Sequence, residues 1–548
     1  MSARRATCLL AALAAMALSL PAGASGPELG IEAPPPAAAD LSGPWPDGAA
    51  VAGERLRTTL DGAEFPILPP LPAVSAIVAD PVRTGSLRTA VEVPPAPVVI
   101  GGDDLLTGAI EVRLADPKLP LPARLAKRDR ESIAAFYAAR GHRPAWIRDL
   151  AWTPRGLAVA DRLGRADEDG LDPADYPVPA LGPAARVLSP TDLAEAELKL
   201  AAAAFLYARD ARGGRLEPSR ISALITPKLD LPAPGTVLAR LTDAADAGAT
   251  LAGFNPSYPG YRALRGKLAD LRAGRSSLPT AQIRRRTVRT SQAIAVLGDT
   301  ELPDASGPAT MPNPRLEGDI LANMERWRWL PPEVAARYVA VNVPEFRLQL
   351  IAGGRVEHEA RVITGKAETP TPIFSGMMEY AIVNPSWYIP PSIMKNEILP
   401  GLARDPGYAA RRGYEVVRRG GDISVRQPPG ERNALGFIKF MFPNNHAVYL
   451  HDTPNRSLFG SGRRAFSHGC VRVENPFQLA DFVLGSEWSE SRLRRLVGRG
   501  ERTIFLPEKL PVHLTYFTVA VDAFGGVQTF EDLYGYNRRT RQALGLGA

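Results

Sequence analysis

The chain has 548 residues, enough for two or three domains with cores of their own. Its 65 basic and 58 acidic residues leave a net charge of +7, with arginine spread along the chain and no nucleic-acid-binding fingerprint, so no nucleic-acid partner is expected. Two cysteines exclude a disulfide framework, and nothing beyond the first 24 residues is apolar over the roughly 20 residues that a membrane span needs.

Residues 1–24 read as an export signal: Arg4 and Arg5, an apolar run from Leu9 to Leu20, then Ala22-Gly23-Ala24 as a small-residue cleavage pattern. Cleavage and a periplasmic location are expected, with an uncleaved inner-membrane anchor as the alternative. Residues 25–120 are rich in proline, alanine and glycine and read as a disordered tether. Residues 121–275 read as a helical domain. Ile133, Phe136 and Tyr137 keep helical spacing, and Thr191 is expected to cap a long helix through Leu193, Leu198, Leu200, Phe205 and Leu206 that Gly213-Gly214 stops. Another helix is predicted over 258–272, carrying Leu264, Leu268 and Leu271. These stripes read as core.

Residues 276–313 are polar and read as a linker. Leu316, Ile320, Met324 and Trp327 then predict a helix ending before Pro331-Pro332. Beyond it the period becomes two, over 338–343, 346–351, 356–363 and 376–383, and again over 436–440 and 447–451. The stretch from about 390 to 430 has helical and loop character and reads as an insertion in this β domain (314–548). A hairpin is predicted from 512–521 and 527–530. The fold class is multidomain α+β: a tether, an all-α domain and a mostly-β domain with an inserted subdomain.

The chemistry centres on Cys470, in Ser467-His468-Gly469-Cys470-Val471-Arg472, nineteen residues after His451. Cys8 falls in the export signal, so the mature chain carries one thiol. A lone thiol with imidazoles near it suggests a nucleophile, since imidazole can convert thiol to thiolate. Alternation over 447–451 puts Tyr449 and His451 on one face. If that strand pairs with 471–473, His451 and Cys470 meet at one end of the sheet. Gly469 permits a tight turn that can aim the amides of Gly469 and Cys470 at an oxyanion.

The signature from His451 to Arg472 resembles that of the L,D-transpeptidases, with YkuD-type catalytic domains. The run 323–331 (Asn-Met-Glu-Arg-Trp-Arg-Trp-Leu-Pro), Asn433-Ala434-Leu435-Gly436 and 449–454 are similar to the large periplasmic YcbB-like subgroup. Residues 170–176 (Gly-Leu-Asp-Pro-Ala-Asp-Tyr) resemble its scaffold domain. The resemblance covers roughly 125–548, but the peptidoglycan-binding module usual in that subgroup is not evident in 276–313. It implies that Cys470 attacks the diaminopimelate carbonyl of a tetrapeptide stem and releases D-alanine. A diaminopimelate amine of a second stem then resolves the thioester into a 3→3 cross-link. His451 is the implied base and acid, and His468 supports the thiol. Arg472 can hold a stem carboxylate through its guanidinium fork, Tyr449 can bond near the intermediate, Trp387 and Tyr388 can wall the cleft, Ser467 is a further candidate substrate contact, and by resemblance the insertion is a lid. No cofactor is implied. The expected partners are the stem peptides, with cell-wall synthesis proteins as further candidates.

Other readings compete. Water can resolve the same thioester, giving an L,D-carboxypeptidase, and relatives attach proteins to the wall or detach them. A peptidase acting on all-L peptides, a non-catalytic wall-binding scaffold, and zinc held by His451, His468 and Cys470 with His446 are weaker readings, the last because the spacing matches no compact finger.

Overall fold

The structure, a computed structural model, describes residues 103–181, 188–275, 314–390, 393–405, 407–419, 422–522 and 525–547. The expected export signal, the tether up to 102 and the linker 276–313 lie outside the described residues. The tether reading needs correction at its end, because helix α1 (Asp103–Ala115) occupies part of it. Its Leu106 and Ile110 are buried in the helical core, and Arg113 pairs with Glu195 at 2.6 Å. Prolines upstream dominated the composition and hid a short helix that folds by tertiary burial.

Helix α2 (Lys127–Ala139), a two-residue pair of strands β1 (Ile147–Arg148) and β2 (Ala151–Trp152), and α3 (Pro154–Gly164) surround α4 (Pro190–Gly213). Helices α5 (Pro218–Ile221), α6 (Pro234–Asp243), α7 (Ala247–Ala252) and α8 (Pro259–Arg272) complete this part. α4 is apolar nearly all round and sits at the centre, as such a helix must. Its cap is Ser189, not Thr191: the Ser189 hydroxyl accepts from the Asp192 amide, and the Asp192 carboxylate accepts from the Ser189 amide, with Pro190 first in the helix. Glu197 on α4 is wholly buried and accepts from the Tyr137 hydroxyl and the backbone amides of Ala145, Trp146 and Ile147 at 2.5–3.0 Å. Burial nevertheless pushes its carboxyl up to about 7.

Helix α9 (Pro314–Trp327) carries the start of the Asn323-to-Pro331 motif and joins the helical part to the β part. Asn323 accepts from the Thr518 amide at 2.9 Å, and Arg326 donates to the Tyr516 carbonyl at 2.8 Å and to Asn537 at 2.7 Å. On the other side, the Glu325 carboxylate takes the Leu216 amide at 2.8 Å, and Arg328, just past the helix, donates to the Asp169 carbonyl and to the Tyr261 hydroxyl. The motif is thus a structural joint.

The β part contains β3 (Arg337–Asn342), β4 (Arg347–Ala352), β5 (Arg355–Gly365) and β6 (Phe374–Val383). An inserted cap comes next: β7 (Trp387–Tyr388), a π-helical turn Met394–Ile398, α10 (Leu399–Arg404), α11 (Tyr408–Arg411), β8 (Glu415–Arg419) and β9 (Asp422–Gln427). The cap strands form their own sheet in the order β7-β9-β8 over a small core of Ile389, Met394, Ile398 and Val425. The sequence predicted no strands here.

The main sheet resumes with β10 (Ile438–Met441), β11 (Leu450–His451), β12 (Ala465–Ser467) and β13 (Val471–Val473). Helices α12 (Pro476–Val483) and α13 (Glu490–Arg494) lead to β14 (Arg502–Thr515). Among the described residues the order is β12-β5-β13-β11-β10-β6-β14-β3-β4, and β4 also pairs with β5, so the sheet closes on itself. The predicted hairpin is shorter than expected, β15 (Val519–Val521) with β16 (Val527–Thr529), because residues 512–515 belong to β14. Helix α14 (Tyr536–Ala543) ends the described chain's regular structure.

Candidate functional site

Three adjacent strands build the site. Ile438, Phe440, Leu450, Val471 and Val473 point into the core and are buried. Alternation then sends Lys439, His451 and Arg472 outward, and the register aligns them, with His451 opposite Lys439 on one side and Arg472 on the other. Tyr449 and Cys470 precede His451 and Arg472 by two residues and share their face. The strand expected over 447–451 is regular only at its end. Ala447 adopts φ +52, a conformation costly for alanine, while Asn444 holds the bend through the His446 and Val448 amides.

His451 is buried, and its Nδ1 donates to the Asp452 carbonyl at 2.5 Å, which leaves Nε2 as the basic nitrogen. Burial, and then the Arg472 charge, push the imidazole down to about 3, against the opposing effect of the Asp452 and Leu435 carbonyls. Asp452 also organises its surroundings. Its carboxylate accepts from the Phe437 amide at 3.0 Å, and a Cβ on Gly436 (φ +60) would lie 2.4 Å from it. Asn433 fastens the same turn to Pro385, Gln427 and Pro428, which accounts for the Asn433-to-Gly436 motif.

The Cys470 sulfur lies 3.9 Å from the Ala447 carbonyl. Burial pushes the thiol up, opposed by the Tyr449 amide and hydroxyl and by the charges of Arg472 and Lys439. Among the described residues no hydrogen bond joins His451 to Cys470; such contacts often tighten only once substrate is present. The free site therefore holds a neutral thiol and a neutral imidazole. Accordingly, alkylation of Cys470 by iodoacetamide should climb continuously from about pH 6 past about pH 9. A plateau reached below neutrality would reveal a preformed thiolate–imidazolium pair instead.

Gly469 adopts φ +116, which favours glycine. Its amide, expected to face an oxyanion, instead donates to the Ser467 hydroxyl at 3.1 Å, while that hydroxyl donates to the Cys470 carbonyl at 2.5 Å. Ser467 thus locks the turn and has no exposed face for substrate, being 2 % accessible. Thr371, which the sequence did not single out, donates to the Gly469 carbonyl at 2.8 Å.

His468 has Glu397 of the cap as its partner, 2.8 Å from its Nε2. Glu397→Ala should loosen this junction, raising hydrogen exchange of the amides in 394–404 by about 2- to 5-fold, as expected for one partly exposed pair. Trp387 reaches the Tyr449 hydroxyl and so lines the cleft. Tyr388, the next residue along β7, faces the other way, 65 % exposed and beside Arg426, so the structure does not bring it to the cysteine. His446 bonds Thr226 at 2.6 Å, and among the described residues no group of His, Cys, Asp or Glu is arranged to hold a metal ion.

Lys439 was missed because a single lysine in a strand ordinarily marks a solvated edge. The alternation of Ile438, Lys439 and Phe440 was the available signal, and it gains meaning only with the register to His451.

Residues 131–268 match the family described as scaffold domain, and residues 336–507 the family described as L,D-transpeptidase catalytic domain, YkuD. A putative L,D-transpeptidase of Haemophilus influenzae is 34% identical over 244 residues, which is 41% of this chain and 49% of that protein, so the match spans about half the curated relative's length. Among solved structures, an L,D-transpeptidase from Mycobacterium smegmatis is 14% identical with a TM-score of 0.18, covering 33% of this chain and 59% of that one. One from Enterococcus faecium is 15% identical with a TM-score of 0.16, covering 33% and 51%.

Proposed function

We propose, on the premise of the match of residues 336–507 to the YkuD family of L,D-transpeptidase catalytic domains, that this protein forms 3→3 cross-links between peptidoglycan stem peptides through a thioester on Cys470. Nε2 of His451 takes the thiol proton as the sulfur attacks the carbonyl of the L-centre of diaminopimelate in a tetrapeptide donor. The Cys470 amide, which makes no hydrogen bond among the described residues, serves the tetrahedral oxyanion, with the Tyr449 hydroxyl beside it. His451 then returns the proton to the departing D-alanine amine. The side-chain amine of a neighbouring diaminopimelate attacks the thioester and displaces the thiol, with His451 again carrying the proton. The observation that carries this reading is the shared sheet face of Tyr449, His451 and Cys470, with Nδ1 of His451 fixed to the Asp452 carbonyl.

Among the described residues no helix is long and apolar enough to cross a membrane. We place the activity in the periplasm after export directed by residues 1–24, with cell-wall synthesis proteins as candidate partners.

Incubation with disaccharide-tetrapeptides, followed by mass spectrometry, tests the proposal. Dimers lacking one D-alanine are expected. Tripeptides alone, even with amine acceptor in excess, would make hydrolysis the activity, and no product would sink both. A carbapenem, whose lactam carbonyl presents a comparable acyl centre, should add its full mass to Cys470.

A further inference from the structure

Resting on that reading of Cys470 and His451, we propose that Lys439 and Arg472 together receive the terminal carboxylate of the donor peptide. The site is then selective for donors with a free acid one residue beyond the scissile carbonyl.

The placement is fixed by register: Lys439, His451 and Arg472 stand side by side on β10, β11 and β13, all outward. Adjacent strands are about 4.8 Å apart, so the two cations flank the imidazole, and Cys470, two residues before Arg472, lies about 7 Å away along the strand. Most arginines nearby have carboxylate partners, as Arg361 has Glu474 and Arg426 has Glu415. These two cations make no ion pair among the described residues. Nε of Arg472 is buried without a hydrogen-bond partner. The Lys439 ammonium rests 5.6 Å from the centre of the Tyr449 ring. Glu501 is the acid whose charge reaches Lys439, but its carboxylate accepts the Ser386 amide at 2.7 Å and forms no ion pair with the lysine. Two half-buried cations without a counter-ion are costly to hold, and a ligand carboxylate removes that cost.

Burial first, and then these two charges, hold His451 deprotonated. A carboxylate between them offsets their repulsion of an imidazolium, so the base gains proton affinity when the donor is bound. The other titratable groups facing this row are the Cys470 thiol and the Tyr449 phenol; His468 and Glu397 face each other at the cap. Once the D-amino acid departs with its carboxylate, the restored positive field disfavours a protonated amine and so favours the neutral, nucleophilic acceptor.

The test compares a tetrapeptide donor with its C-terminal amide. In the Cys470→Ala protein, where no chemistry intervenes, calorimetry should show the acid binding about 10- to 100-fold more tightly than the amide, as expected for charge-assisted hydrogen bonds. Adding Lys439→Met should remove most of that preference, and Lys439→Arg should keep it. In the active protein, Lys439→Met should lower kcat/KM for the acid by a clearly larger factor than for the amide. Equal affinity for acid and amide overturns the proposal, as does a preference that survives in Lys439→Met or a loss equal for both donors. An intact binding preference without turnover of either donor would overturn the chemistry under Proposed function and leave the carboxylate site standing.

Discussion

Cys470→Ala should lower turnover of a tetrapeptide donor by about 10,000-fold or more, to assay background, while leaving donor affinity measurable. In the proposed mechanism the sulfur is the atom that bonds to substrate, and the described residues around it offer no second thiol. His451→Gln should cost about 100- to 10,000-fold in the same rate, the range of a positioned general base. It should leave Cys470 open to alkylation, because the imidazole does not bond the thiol in the free site. Combining the two changes should cost no more than Cys470→Ala alone, since both act on one step. A His451→Gln protein with unaltered steady-state turnover would remove His451 from the proposed mechanism.

Glu197→Ala should destabilise the helical part by about 4 kcal/mol or more, read as the loss in a chemical-denaturation midpoint. Three backbone amides and the Tyr137 hydroxyl converge on one carboxylate in a dry core, and each stranded donor costs about 1–3 kcal/mol. The carboxyl also predicts a pH dependence. Its folded value of about 7 lies above the ordinary 4.5, so the folded state holds its proton more tightly than the unfolded chain does. The stabilisation is complete below about pH 4.5 and is lost as pH rises through about 7. Glu197→Gln should flatten that slope; an unchanged slope would assign the pH dependence to another group.

The sheet that carries Cys470 and His451 was legible because it rests on a local signal, period-two alternation, and a motif and a glycine singled out the two residues themselves. What escaped depends on contacts distant in sequence. Glu397 meets His468 from the cap, Thr371 supports Gly469 from the loop before β6, and Lys439 acquires its neighbours only through pairing. Strand β14 was legible in its second half alone, since Pro507, Glu508, Lys509 and Pro511 interrupt the pattern where the register shifts between Phe505 and Leu510. The cap strands β8 and β9 are short and largely polar, which reads as loop. The turn chemistry at 467–470 was half legible: glycine's freedom was anticipated, but capture of its amide by the preceding serine requires coordinates.

The joint at α9 bears on how such chains can be recombined. Asn323 and Arg326 face the C-terminal segment around residues 516–537, while Glu325 and Arg328 face the helical part. A crossover placed at the apparent boundary between the two matched families would strand buried charges on whichever side lost their partners. Chimeras that exchange scaffolds between relatives should fold only when α9 travels with residues from both ends of the graft. The heritable module is therefore the pair, and the seam visible in sequence is a poor place to cut.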